Sequence, residues 1–146
     1  MSKIKLEIVT VERLVLSTDV DYVSAPGVDG ILGILPHHAL LVTALTLGEL
    51  RYKKDGEESH FAIGGGFMEV RPDKVTVLAD TAEQADEIDE SRAEQARQRA
   101  QEFLKEGGKA DAQAALIEQT LRRAELRLRV AKRRRTERRP MDSGES

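Results

Sequence analysis

At Asp80 the spacing of apolar residues changes. Before it they recur at every second position: Ile4, Leu6 and Ile8 are separated by Lys5 and Glu7, and Val75, Val77 and Ala79 flank Thr76 and Leu78. Residues two apart on a strand share one face, so the pattern reads as half-buried strands. After Asp80 the chain turns to Ala, Glu, Gln and Arg, with neither Pro nor Gly until Gly107, which is helix composition. The expectation is an α+β chain, strands first and helices second, and at 146 residues it has room for one good core and an appendage.

Turn signals divide the first part at Gly27, Lys54-Asp55-Gly56, Gly64-Gly65-Gly66 and Arg71-Pro72-Asp73. Asp55-Gly56 predicts a hairpin, because both residues tolerate left-handed conformations. Many short strands with regular turns predict an antiparallel β-sandwich or barrel. Gly64-Gly65-Gly66 lacks the following Lys-Ser or Lys-Thr of a phosphate loop and is read as a bulge or turn.

In the second part, Asp86, Glu87, Asp89 and Glu90 place negative charge where a helix dipole favours it. Ala93, Ala96, Ala100 and Phe103 or Leu104 form a narrow stripe. Gly107-Gly108 breaks the helix, and a second is expected from about Asp111 to the mid-130s, with Ile117, Leu121, Ala124, Leu128 and Ala131 on one face and Pro140 beyond its end. A short break between amphipathic helices implies an antiparallel hairpin. The domains expected are therefore a β-sandwich over 1–83 and a two-helix antiparallel hairpin over 84–146, joined by a linker near Thr81 to Asp86.

Composition narrows the function classes. There is no cysteine, which excludes disulfides and thiolate metal sites and fits a reducing compartment. No apolar run approaches the roughly 18 residues of a membrane span, and no signal or transit pattern opens the chain, so a soluble protein that stays where it is made is expected. No Ser stands in a nucleophile-elbow pattern, and an enzyme is not expected. His37-His38 is not read as a metal site, since neighbours on a strand point to opposite faces. The net charge of -3 conceals a basic stretch: Arg122 to Arg139 holds ten basic residues against Glu125 and Glu137, suited to an acidic partner. Between Ala25 and Thr43 lies an apolar run with Gly27, Gly30 and Gly33 at three-residue spacing, bracketed by Pro26 and Pro36. The glycines allow turns or bulges needing φ > 0, and a run so apolar must be buried or docked.

Three segments in order, Gly30-Ile31-Leu32-Gly33-Ile34-Leu35-Pro36-His37-His38, Gly65-Gly66-Phe67-Met68-Glu69-Val70 with Arg71-Pro72, and Val75-Thr76-Val77-Leu78-Ala79-Asp80, precede a helical end. In this order and spacing the chain resembles the epsilon subunits of bacterial F-type ATP synthases. The resemblance implies a β-sandwich followed by two helices in a non-catalytic central-stalk subunit, with gamma, the c-subunit ring and the alpha/beta catalytic subunits as partners. It implies docking on gamma and the c ring through Gly30, Ile31, Leu32, Gly33 and His38, at the cytoplasmic face of the bacterial membrane, which the chain meets only through the complex. The helices would restrain ATP hydrolysis, with Arg122, Arg123, Arg127, Arg129, Arg133, Arg134 and Arg135 meeting acidic residues of the beta subunits.

Some members bind ATP through Ile or Leu, Asp, two variable residues, Arg and Ala, which stands here as Ile88-Asp89-Glu90-Ser91-Arg92-Ala93. The resemblance thus implies no required cofactor but ATP as a regulatory ligand, at Glu83, Ile88, Asp89, Arg92, Ala93, Arg99 and Arg134. The plainer reading of Asp89 and Arg92 is dipole compensation with an i, i+3 ion pair. Two positions depart from the family pattern: Ile31, where many relatives carry Glu, and Val130, where a second-helix Arg is expected and Arg129 or Arg133 is the nearby alternative. The alternative function is a nucleic-acid-binding module, since the basic stretch would suit duplex phosphates, though it lacks aromatic stacking residues; with the resemblance, no nucleic-acid partner is expected.

Overall fold

The computed structural model describes residues 2–106 and 112–138, the side chains of 134–138 excepted. The chain divides into two compact units, Met1–Gln84 and Ala85–Ser146. In the first, the strands are β1 (Ile4–Val9), β2 (Leu14–Val20), β3 (Tyr22–Gly27), β4 (Gly30–Ile34), β5 (Leu41–Lys54), β6 (Glu57–Val70), β7 (Lys74–Ala79) and β8 (Ala82–Gln84). They form one sheet in the order β2-β1-β7-β6-β5-β3-β4, with β8 also on β6. The α+β class with strands before helices holds. One pairing is not antiparallel: β1 and β7 run parallel, Leu6 beside Val75 and Ile8 beside Val77, as two strands far apart in sequence can do when other strands supply the crossover.

Two strands are longer than the turn spacing suggested. β5 and β6 pair from Leu41↔Val70 to Lys54↔Glu57, closed by Asp55 (φ +51) and Gly56 (φ +86) in the expected left-handed turn. β6 serves both layers of the sandwich, since Gly66 to Val70 pair with β7 and Phe61 to Ile63 with β8. Between these stretches stands the glycine triplet. It does not end the strand; it bends it, with Gly65 at φ +106 and Gly66 at φ +129. A Cβ on Gly66 would run into the Leu78 carbonyl of the neighbouring strand. Where a linker was expected, β8 continues the pairing along β6.

The alternating residues fill the space between the layers. Ile4, Leu6, Ile8, Val23, Leu50, Ile63, Met68, Val75 and Val77 are all fully buried in one cluster, and Phe61 joins it against Tyr52, ring centroids 6.4 Å apart. Of the three spaced glycines only Gly30 has a positive φ. Gly33 is small for another reason: a Cβ there would lie 2.8 Å from the Tyr22 hydroxyl oxygen.

The second unit opens with a 3-10 turn, Ala85–Glu87, followed by α1 (Glu90–Lys105) and α2 (Ala112–Arg138). Residues at the start of α1 line a groove with Glu125 to Lys132, and those at its end line another with Leu121, so the helices are antiparallel. Ala93, Ala100, Ala114, Ala124 and Ala131 are buried, while Phe103 is 37% exposed and Leu104 half-buried, so the α1 stripe ends on Leu104. The acidic start is more sharply divided than the sequence implied: Asp86 and Glu87 lie in the 3-10 turn, Asp89 caps α1, and only Glu90 stands in its first turn. On α2, Leu126 and Val130 are buried about half a turn from the expected face. Gly107-Gly108, Asp111 and Pro140 to Ser146 lie outside the described residues.

Candidate functional site

The outward face of β5-β6-β7-β1-β2 carries an apolar row. Ala44 pairs with Phe67, Phe67 with Leu78, Leu78 with Val9 and Val9 with Leu14. Side chains directly opposite each other share a face, so five strands spaced about 4.8 Å apart present one apolar line roughly 20 Å long. Phe67, Leu78 and Leu14 are 57%, 54% and 55% exposed. In the turn after β3, Val28, also exposed, donates its backbone N–H to the Ala44 carbonyl at 3.0 Å. The next row on the same face is polar: Glu69, Thr76, Glu7 and Ser17. There Lys74 meets Glu7 at 3.0 Å and Arg71 meets Glu69 at 3.4 Å, and the Lys74 hydrogen bond holds the Glu7 carboxyl below the usual carboxylate range. The apolar row was not picked out from the sequence, because its members come from five strands and only the register aligns them.

The sequence-expected docking residues lie on β4, at the edge of the sheet, and in the loop after it. Ile31 is 77% exposed, whereas Leu32, its neighbour on the other face, packs partly against the core. Gly30 and Gly33 are exposed. His37 and His38 belong to the loop rather than to a strand. The His37 backbone, at φ +70, donates to the Pro72 carbonyl at 2.8 Å. His38 Nδ1 lies 2.7 Å from the Ala39 carbonyl oxygen; a carbonyl can only accept, so this nitrogen carries the proton. Leu35, Leu40 and Val42 are exposed beside them. The apolar run from Ala25 to Thr43 is therefore buried along β3 and divided along β4, where Leu32 and Ile34 face the core while Ile31 is exposed, as are Leu35 and Leu40 in the following loop.

In the helical unit the ATP-motif residues divide. Ile88 and Ala93 are buried, Asp89 accepts from the Arg92 backbone N–H at 3.1 Å, and Arg92 and Arg99 have exposed side chains. The Asp89 contact is to the backbone amide, not the i, i+3 ion pair expected. Val130 is fully buried, so the position where the pattern expects an arginine serves packing. Glu83 lies in β8 opposite Ala62; Arg134 and Arg135 have side chains outside those described. Among the other arginines of the basic stretch, Arg122, Arg123 and Arg129 are exposed and Arg127 and Arg133 half-buried.

A groove of about 640 Å³ runs between the helices, lined by Glu90, Glu94, Arg97, Glu125, Arg129 and Lys132 among others. Arg97 Nε donates to Glu94 at 3.1 Å, and a second guanidinium nitrogen also meets that carboxylate. The Arg97 hydrogen bond pulls the Glu94 carboxyl below its ordinary range, with Lys132 adding from the other helix. Arg97 is raised in turn, first by Glu94 and more weakly by Glu125 of α2. Glu125 and Lys132 of α2 thus line the groove opposite the Glu94–Arg97 pair of α1. Arg97 was overlooked in favour of Arg99, which stands two positions further round the helix and outside the groove.

Two family models cover the chain. That described as the ATP synthase delta/epsilon chain beta-sandwich domain matches residues 3–85, and that described as the delta/epsilon chain long alpha-helix domain matches 86–132. The ATP synthase epsilon chain of Herpetosiphon aurantiacus is 58% identical over 132 residues, 90% of this chain and 96% of the relative. That of Dehalococcoides mccartyi is 53% identical over 135 residues, 92% and 96%. In fold the chain is similar to a chain in the cryo-EM structure of the Euglena gracilis mitochondrial ATP synthase, OSCP/F1/c-ring in rotational state 1, with a TM-score of 0.66 at 20% identity over 93% of this chain and 81% of that one. With both units matched in order and relatives aligned over most of its length, the chain belongs to the delta/epsilon chain family of F-type ATP synthases.

Proposed function

We propose that the chain works as a non-catalytic central-stalk subunit that couples the rotor of a bacterial, proton-translocating F-type ATP synthase to its c ring and restrains ATP hydrolysis through its helices. It carries no reaction of its own and sits peripherally at the cytoplasmic face of the membrane. The observation that carries the reading is the apolar row through Phe67, Leu78 and Leu14, a surface whose exposure makes sense for a chain that is permanently assembled. It docks on gamma, and the uncovered edge with Ile31 and His38 meets the c ring. Burying a large apolar side chain contributes about 1.5–3 kcal/mol, so two or three anchors suffice for a tight contact. Changing Phe67 and Leu78 together to Ser should leave the fold intact, because both are exposed, and weaken co-purification with gamma at least tenfold. Undiminished association would overturn the docking reading.

The helices supply regulation. Arg122, Arg123 and Arg129 are exposed and meet acidic residues of the beta subunits, together with Arg127, Arg133, Arg134 and Arg135. An alanine seam suits a part that moves, since small side chains bury few CH₂ groups at about 0.8 kcal/mol each. ATP at a hundred times its dissociation constant adds about 2.7 kcal/mol to whichever arrangement it binds, enough to shift populations of a weakly held pair. Arg92 and Arg99, both exposed on α1, are the side chains available to its phosphates. Hydrolysis by an alpha, beta and gamma core should fall when the full chain is added, and remain high with a chain ending at Gln84.

A further inference from the structure

We infer that the Asp29-Gly30 peptide is a site of covalent modification, where Asp29 isomerises to isoaspartate through a succinimide with water as the only co-reactant. The chain holds two Asp-Gly pairs, Asp29-Gly30 and Asp55-Gly56, and no asparagine. In each pair a glycine amide nitrogen follows the carboxyl with no Cβ to hinder its approach. That nitrogen attacks Cγ of the protonated carboxyl and a five-membered ring closes: the N–Cγ bond forms, and the N–H proton and the carboxyl hydroxyl leave as water. A second water opens the ring at Cγ, which restores aspartate, or at the backbone carbonyl carbon, which gives isoaspartate. No net atom or electron is gained, so the mass is unchanged while the main chain becomes one methylene longer.

The structure separates the two pairs. Asp29 and Val28 form the two-residue turn between β3 and β4, closed where Gly27 pairs with Gly30. Asp29 and Gly30 are both exposed, and among the described residues the Asp29 carboxylate has no hydrogen-bond or ion-pair partner. A Cβ added at Gly30 would meet nothing within 4 Å. Neither a partner nor a neighbour therefore keeps the carboxyl from the nitrogen. Asp55 is also exposed but is pinned: its Oδ1 lies 2.8 Å from Lys3 Nζ, its backbone N–H donates to Asp21 Oδ2 at 2.8 Å, and its backbone is held at φ +51. To reach the Gly56 nitrogen its carboxyl must leave Lys3, so Asp29 reacts first. The consequence is local. The turn runs straight into Ile31 on the edge strand, and a longer main chain there disturbs the pairing of Ala25 with Leu32.

The test ages the full chain at mildly acid pH below its unfolding transition, with circular dichroism confirming that it stays folded. Isoaspartate at each Asp-Gly peptide is then measured by peptide mapping, with fragmentation that tells isoaspartate from aspartate; without asparagine, none of the product can come from deamidation. Asp29 should accumulate isoaspartate about threefold faster than Asp55, the protection that an exposed ion pair can give. Lys3→Ala should bring Asp55 up toward the Asp29 rate, and Asp29→Glu should abolish the product at the first peptide, because glutamate would have to close a larger ring. An Asp29 that stayed unmodified, or an Asp55 that reacted as fast in the parent chain, would overturn the inference. An Asp55 rate unmoved by Lys3→Ala would remove Lys3 as the reason that the two pairs differ.

Discussion

Lys3 joins three remote segments through two carboxylates. Its Nζ lies 2.9 Å from Asp21 Oδ1 and 2.8 Å from Asp55 Oδ1, and the Asp55 backbone N–H donates to Asp21 Oδ2 at 2.8 Å. The approach to β1, the corner between β2 and β3, and the turn between β5 and β6 are tied at one point. The Lys3 hydrogen bond, followed by the Asp55 amide, lowers the Asp21 pKa, while Asp55 and then Asp21 raise that of Lys3. For a carboxyl depressed in the folded state, the stabilisation is present above the unfolded value of about 3.9 and disappears as pH falls through the lower folded value. Asp21→Asn should therefore lower Tm at neutral pH and flatten its dependence on pH below about 4, as followed by circular dichroism. A variant whose acid limb matched the parent's would show that the tie contributes nothing. Asp55-Gly56 was legible in the sequence because its demand is local, two adjacent left-handed residues. The Lys3 tie was not, since its partners lie 18 and 52 positions away.

At the scale of elements, the bend in β6 decides how the sheet closes. Gly66 combines φ +129 with a neighbouring carbonyl in the space a Cβ would need, so Gly66→Ala must strain the backbone and push β7 away. A loss of about 3 kcal/mol is expected in urea unfolding; a loss below about 0.5 kcal/mol would mean that the bend relaxes freely. The same triplet, read from the sequence alone, was compatible with a turn, because glycine permits many conformations and pairing on both sides selects one. Helix faces were read in part. Ala93, Ala100, Ala124 and Ala131 follow from spacing, but the burial of Leu126 and Val130 does not, as spacing marks one apolar stripe and α2 buries residues on two sides.

For the molecule as a whole, the chain divides between Gln84 and Ala85, and the docking and regulatory roles proposed above fall on opposite sides of that division. Restraint of hydrolysis carried by the arginines of α2 should be strong at low ionic strength and relieved toward about 0.3 M salt, where charges are screened beyond roughly 5–6 Å; restraint that ignored salt would remove the arginines from the contact. The sequence by itself determined the class of structure, the hairpin turn, the inward-facing residues of β1 and β7, and the family, because periodicity, turn chemistry and ordered motifs are carried by residues near one another in the chain. Only the tertiary structure decided the parallel pairing of β1 with β7, the apolar row from Ala44 to Leu14, and the assignment of Asp89 to a helix cap rather than an ion pair. The first two arise when register brings residues from separate strands side by side. The last depends on where α1 begins, which spacing leaves uncertain by a few residues and a hydrogen bond to one backbone amide resolves.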